Sequence, residues 1–105
     1  MNNESIRKIA DFYGFAEQSR QLAEECSELI VAVNKYYRKC ERTSVLTPNN
    51  ALDLQYCISN ITEEIADVTI MLEQMKYLLN LKNDDIEDFI KHKLNRQLER
   101  IEKND

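Results

Sequence analysis

The sequence predicts an all-α chain: one domain, residues 1–105, arranged as a four-helix bundle-like unit that self-association completes. Turn-forming residues are nearly absent. Gly14 is the only glycine and Pro48 the only proline of 105 residues, so strand hairpins have little to turn on. Apolar residues recur at spacings of three and four through most of the chain. In two of the helices so defined the apolar face is wide, with Ile30 and Val31 flanking Leu29 and Ile70 and Met71 flanking Leu72. Such helices want neighbours on more than one side.

The first helix is expected over about Glu4–Tyr13, where Ile6, Ile9, Ala10 and Tyr13 fall at i, i+3, i+4, i+7. Gly14 then ends or bends it, since glycine takes a left-handed cap without penalty. A long second helix follows over about Ala16–Glu41, with Leu22, Cys26, Leu29, Val33 and Tyr36 or Tyr37 as its stripe. Thr43–Leu54 is the expected break: Thr43-Ser44 and Thr47-Pro48-Asn49-Asn50 are loop chemistry, and Thr47 before Pro48 suits a new helical start. The third helix is expected over Tyr56–Leu79, its start open by several residues. Ile58, Ile61, Ile65, Val68, Leu72, Met75 and Leu79 form its stripe. After a connection at Asn80–Asn83, Asp84 with Glu87 three residues on has the form of a capping box and opens a fourth helix. Ile86, Ile90, Leu94, Leu98 (or Gln97) and Ile101 line its apolar side, and the tail Lys103-Asn104-Asp105 is expected to fray.

A net charge of −5 argues against nucleic acid as a surface-bound partner, because a phosphate backbone needs a basic footprint. The polar start Met1-Asn2-Asn3-Glu4-Ser5 has no signal-peptide character, and no run is long enough to span a bilayer. Cys26, Cys40 and Cys57 form no CxxC pair and read as free thiols in a reducing compartment. A cytoplasmic protein with no membrane partner is the expectation.

Two acidic clusters share one design: Glu24-Glu25-Cys26-Ser27-Glu28 and Glu63-Glu64-Ile65-Ala66-Asp67. Glu25 with Glu28, and Glu64 with Asp67, are three residues apart and project from one helical face. The phase repeats as well. Glu25 follows Leu22 by three and precedes Leu29 by four, while Glu64 follows Ile61 by three and precedes Val68 by four. Both inner glutamates therefore border an apolar stripe. If the stripes pack together, four carboxylates converge, an arrangement that needs cations to neutralise it. Oxygen ligands alone, without histidine or cysteine, suit a hard divalent ion, Mg²⁺ or Mn²⁺. The competing reading is a pair of solvated acidic faces.

Glu24-Glu25-x-x-Glu28 followed by Glu64-x-x-Asp67, with the neighbourhoods Gln21-Leu22-Ala23 and Ile65-Ala66-Asp67-Val68, resembles the signature of MazG-like nucleotide pyrophosphohydrolases. The resemblance extends from about Gly14 to Arg100. It implies the all-α nucleoside triphosphate pyrophosphatase fold and a Mg²⁺-dependent enzyme. The reaction would cleave a (deoxy)nucleoside triphosphate between the α- and β-phosphates, giving monophosphate and pyrophosphate. On this resemblance Glu25, Glu28, Glu64 and Asp67 hold the metal, and Glu24 supports them or assists a proton transfer. Lys93, Gln97 and Arg100, at i, i+4, i+7 on the last helix, would bind substrate phosphates. Two departures stand out: Gln97 occupies a position where the family usually has asparagine, and the acidic motifs are further apart than is usual. A homodimer or homotetramer is implied.

Other chemistries fit less well. A di-iron carboxylate site needs two Glu-x-x-His pairs, whereas His92 is the only histidine and sits between Lys91 and Lys93, facing solvent. One glycine excludes a glycine-rich phosphate loop. The rival from another class is a non-enzymatic, self-associating helical interaction module whose acidic faces are incidental.

Overall fold

The computed structural model describes residues 1–43 and 45–104, and among these the chain forms three helices and no strand. The first, α1, spans Asn3–Arg42; α2 spans Pro48–Leu78; α3 spans Asn83–Asn104. Each boundary has a local cause. The Asn2 side chain accepts a hydrogen bond from the Ser5 N–H at 3.2 Å and caps α1. Thr47 does the same for α2 through the Asn50 N–H, with Pro48 in the first turn where its missing N–H costs nothing. The α2 start thus lies at Pro48, well before Tyr56, and the segment to Leu54 that reads as loop is largely helical. Asn80 terminates α2 at φ 54°, with the Leu81 N–H donating to the Lys76 carbonyl and the Asn80 N–H to the Tyr77 carbonyl. This is a Schellman stop with asparagine in place of glycine.

Gly14 breaks the helical run of α1 in a kink. Its φ 83°, ψ 170° lies outside the helical region while helix continues on both sides, so the two expected N-terminal helices are arms of one kinked helix. The fourth expected helix is α3, which opens at Asn83, one residue before the Asp84 cap position, and places Asp84 and Asp85 in its first turn. Lys103 is helical and α3 runs to Asn104; Ser44 of the loop and Asp105 of the tail lie outside the described residues.

α1 and α2 pack as an antiparallel hairpin in constant register. Gln18 bonds Gln74, Glu25 and Asp67 face each other, Glu28 meets Glu64, and Lys39 approaches Asp53 at 3.8 Å. Each step back along α1 is matched by an equal step forward along α2. Extending that register puts Gly14 opposite Leu78, the last residue of α2. A straight α1 would run on past its partner. The bend instead lays the first arm against the end of α2, burying Ile6 and Ala10. It also brings Asp11 within 2.8 Å of the Tyr77 hydroxyl, which donates to it, and sets Arg7 over the Tyr77 ring at 5.5 Å.

The seam of the hairpin differs from the expectation. On α2 it runs through Cys57, Asn60, Glu64, Asp67, Met71 and Gln74, alternating by three and four. Of the expected apolar stripe, Met75 is buried and Ile61 and Val68 are half-buried, while Ile58, Ile65, Leu72 and Leu79, further round the helix, stay exposed. Among the described residues the buried apolar side chains are Ile6, Ala10, Cys57, Met71 and Met75, beside buried Gln18 and Gln74. α3 packs against neither α1 nor α2. The radius of gyration, 18.1 Å, exceeds the ~13 Å of a compact 100-residue domain.

Candidate functional site

The register of the hairpin brings the two acidic motifs together. Glu25 and Glu28 lie on one side of the seam and Glu64 and Asp67 on the other. One carboxylate oxygen from each of Glu25, Glu28 and Glu64 lies within 4.8 Å of the others. Asp67 lies outside that group of three but close enough to Glu25 to feel its charge and hydrogen bond. Glu24 is exposed one residue round the helix, near enough to Glu28 for its charge to be felt there.

Electrostatics follow from the convergence. The Glu28 carboxyl is raised above its ordinary range chiefly by the charge of Glu25, with partial burial, Glu64 and Glu24 adding to it. Glu64 is raised chiefly by burial, then by Asp67 and Glu25. Asp67 is raised by burial and by Glu25. Each shift has the sign expected of like charges held together and partly desolvated.

Hydrogen bonding leaves this charge incompletely answered. Gln21 Nε2 donates to Glu25 Oε1 at 2.8 Å. Glu25 Oε2 and Glu64 Oε2 are buried and have no hydrogen-bond partner among the described residues. A buried carboxylate oxygen without a donor is costly, and a divalent cation is the partner that would satisfy several at once. The donor set is all oxygen and strongly anionic, which fits Mg²⁺ or Mn²⁺ and not a soft metal. Beside the carboxylates a shallow depression of about 360 Å³ is lined by Val31, Ala32, Lys35 and Asn60 together with Glu28 and Glu64.

The last helix does not join this cluster. Lys93, Gln97 and Arg100 are exposed and share a small groove of about 140 Å³ with Arg96, on a helix that touches neither α1 nor α2. The expected phosphate ligands are therefore gathered with each other but not with the acidic residues. His92 is exposed, as expected.

Two contributors are not evident in the acidic motifs alone. Gln21 orients Glu25 from one turn earlier, a contact that the i, i+4 spacing allows. Arg96 adds a third cation to the groove and is adjacent to Gln97 in sequence. A third feature, the Gln18–Gln74 bond, joins residues 56 positions apart and has no local signature.

Compared with family models, with curated proteins and with solved structures, the chain gives no match to any of the three.

Proposed function

We propose that the chain is a Mg²⁺-dependent nucleoside triphosphate pyrophosphohydrolase of the MazG-like type, active as a homodimer or homotetramer. One observation carries this reading. Two sequence motifs 36 residues apart at their ends meet as a compact carboxylate cluster whose buried oxygens lack donors. Solvated acidic faces would have no reason to turn toward each other across a helix seam.

In this reading Glu25, Glu28, Glu64 and Asp67 hold the metal. A bound Mg²⁺ or Mn²⁺ would supply neutralisation of the triphosphate charge and activation of water. The chain's own part is positional and acid–base. Gln21 fixes the Glu25 carboxylate by its hydrogen bond. Glu24, exposed beside the cluster, accepts the proton released when water adds to the α-phosphorus. The bond from the α-phosphorus to the bridging oxygen breaks, water's hydroxyl stays on the monophosphate, and pyrophosphate leaves. Lys93, Gln97 and Arg100 would meet phosphate oxygens when α3 is carried to the cluster, either by a rearrangement at Leu79–Lys82 or from another copy.

The separation of that basic groove from the carboxylates favours a second reading, a helical interaction module without catalysis. The two are distinguished by incubating the protein with a panel of nucleoside triphosphates and Mg²⁺ and resolving products by chromatography. Monophosphate plus pyrophosphate from at least one substrate, abolished by EDTA, is the expected result. Diphosphate and orthophosphate as sole products, or no turnover with any triphosphate, removes the enzyme reading.

A further inference from the structure

We propose that the depression beside the carboxylate cluster receives the base of the triphosphate, and that Lys35 at its far end selects bases with a ring carbonyl. Uracil, thymine and guanine are then favoured over the amino-bearing cytosine and adenine. The inference rests on the reading above that a nucleoside triphosphate binds at the cluster, and adds the class of base.

The hairpin lays the depression out along its seam. Glu28 and Glu64 close one end, where they belong to the cluster. Val31 and Ala32 follow one turn on along α1, with Asn60 one turn back along α2, and Lys35 stands a turn beyond. From Glu28 to Lys35 the helix advances about 10 Å at 1.5 Å per residue. The volume, about 360 Å³, is in the range of small-molecule sites. A triphosphate held at the carboxylates would extend along this floor in one of two ways, base outward or terminal phosphate outward.

The walls decide between them. Val31, 62% exposed, and half-buried Ala32 present methyl groups, and the methylene stem of Lys35 lies along the same surface. Phosphate oxygens lose hydration against such a wall and gain no donor from it. The face of a planar base gains by covering it, and the short side chain of Ala32 leaves room for a ring.

Two polar groups then meet the edge of the base. Asn60, half-buried, carries an amide that both donates and accepts, so by turning over it suits either kind of edge. Lys35 does not have that freedom, because an ammonium only donates. Uracil and thymine offer it O4, and guanine O6, each beside a ring N–H that the Asn60 Oδ1 accepts. Cytosine and adenine put an amino group in that place, donor against donor, and a site built on one hydrogen-bond pattern rejects the other. The ammonium is available for this role. The ion pairs among the described residues are Lys39–Asp53 and Lys76–Glu73, so Lys35 is not held by a carboxylate, although Glu28 and Glu64 line the same depression.

Calorimetric titration with α,β-imido analogues of dUTP and dCTP in Mg²⁺ is the test, since the two differ only at the edge of the base. Wild type is expected to bind the dUTP analogue at least about tenfold more tightly. The dGTP analogue should likewise exceed that of dATP. Lys35→Met keeps the stem and removes the ammonium, and should bring the dUTP-to-dCTP ratio to within about threefold of unity. Lys35→Arg, donor-only like the original, should keep the preference. Lys35 is exposed, and circular dichroism checks that both variants retain their helices. Equal wild-type affinities overturn the inference, as does binding of neither analogue. So does an equal weakening of both by Lys35→Met, which would put the ammonium on phosphate. Turnover of the natural triphosphates separates this inference from the reading beneath it. A carbonyl preference in binding without hydrolysis of any triphosphate removes the hydrolase and leaves the base site standing; hydrolysis without that preference does the reverse.

Discussion

Gln18 and Gln74 offer a quantitative check on the hairpin register that assembles the carboxylate cluster. Their side chains hydrogen-bond across the seam, Gln18 Nε2 donating to Gln74 Oε1, with Gln74 only 1% exposed and Gln18 6%. Replacing Gln74 by methionine keeps the length of the side chain and removes the acceptor. The Gln18 amide is then buried with neither protein partner nor water, at a cost of about 1–3 kcal/mol. For a domain near 100 residues that corresponds to a fall of about 5–20 °C in Tm. Gln18→Met should cost a similar amount. The double variant Gln18→Met/Gln74→Met removes both polar groups and leaves two flexible apolar chains in contact, so it should recover most of the loss. The cycle therefore predicts a favourable coupling of at least about 1 kcal/mol between the two sites. Thermal melts at one fixed protein concentration measure it. Additive losses, or single variants within ~0.3 kcal/mol of wild type, would show that the pair is not joined and that the register argument fails.

Two further outcomes follow from other parts of the molecule. Gly14→Ala should lower stability by about 1–3 kcal/mol, because φ 83°, ψ 170° is a region nearly reserved for glycine. The space around an added Cβ is open, so the loss is one of backbone conformation, and an unchanged Tm would contradict the kink. The raised carboxyls of Glu28, Glu64 and Asp67 mean that the metal-free native state holds protons more tightly than the unfolded chain. The stabilisation from these groups is complete below their ordinary values near 4 and is lost as pH rises through the raised ones. Melts in EDTA at pH 4.5 and 7.5 should show this loss diminished in Glu64→Gln. Mg²⁺ should raise the wild-type Tm at pH 7.5 beyond the effect of NaCl at equal ionic strength, and much less so in the variant; equal shifts with both salts would sink the metal site.

The elements were legible where a local cause existed. Gly14, Thr47-Pro48 and the apolar spacing located the kink, the α2 cap and most of each helix, because single residues and short periodicities decide those features. The convergence of Glu25, Glu28, Glu64 and Asp67 was also legible, from the shared phase of the two motifs. Its setting was not. On α2 the stripe beginning at Cys57 and the stripe beginning at Ile58 have the same three–four spacing, so periodicity cannot say which one faces α1. The more apolar stripe is the natural choice, and the structure turns α2 toward the other, fully burying only Met75 of the expected set. The placement of α3 was illegible for a related reason: its amphipathic pattern requires a covering surface without specifying whose. The Gln18–Gln74 bond depends on a register that only the folded hairpin defines.

The polar seam bears on how the molecule takes up heat. Unfolding raises heat capacity in proportion to the apolar surface newly exposed to water, while exposing polar surface lowers it. A chain whose fully buried apolar side chains, among the described residues, are only Ile6, Ala10, Cys57, Met71 and Met75 has less of the first contribution than usual and, along the hairpin seam, more of the second. Its heat-capacity increment should fall below the ~1.2–1.5 kcal/mol/K usual for 100 residues. Its denaturant m-value should be low for the same reason. The free-energy curve of the single chain would then be flat in temperature, with cold and hot limits far apart and neither transition sharp. Curvature of the usual size would have to be supplied by apolar surface that the chain does not bury within itself.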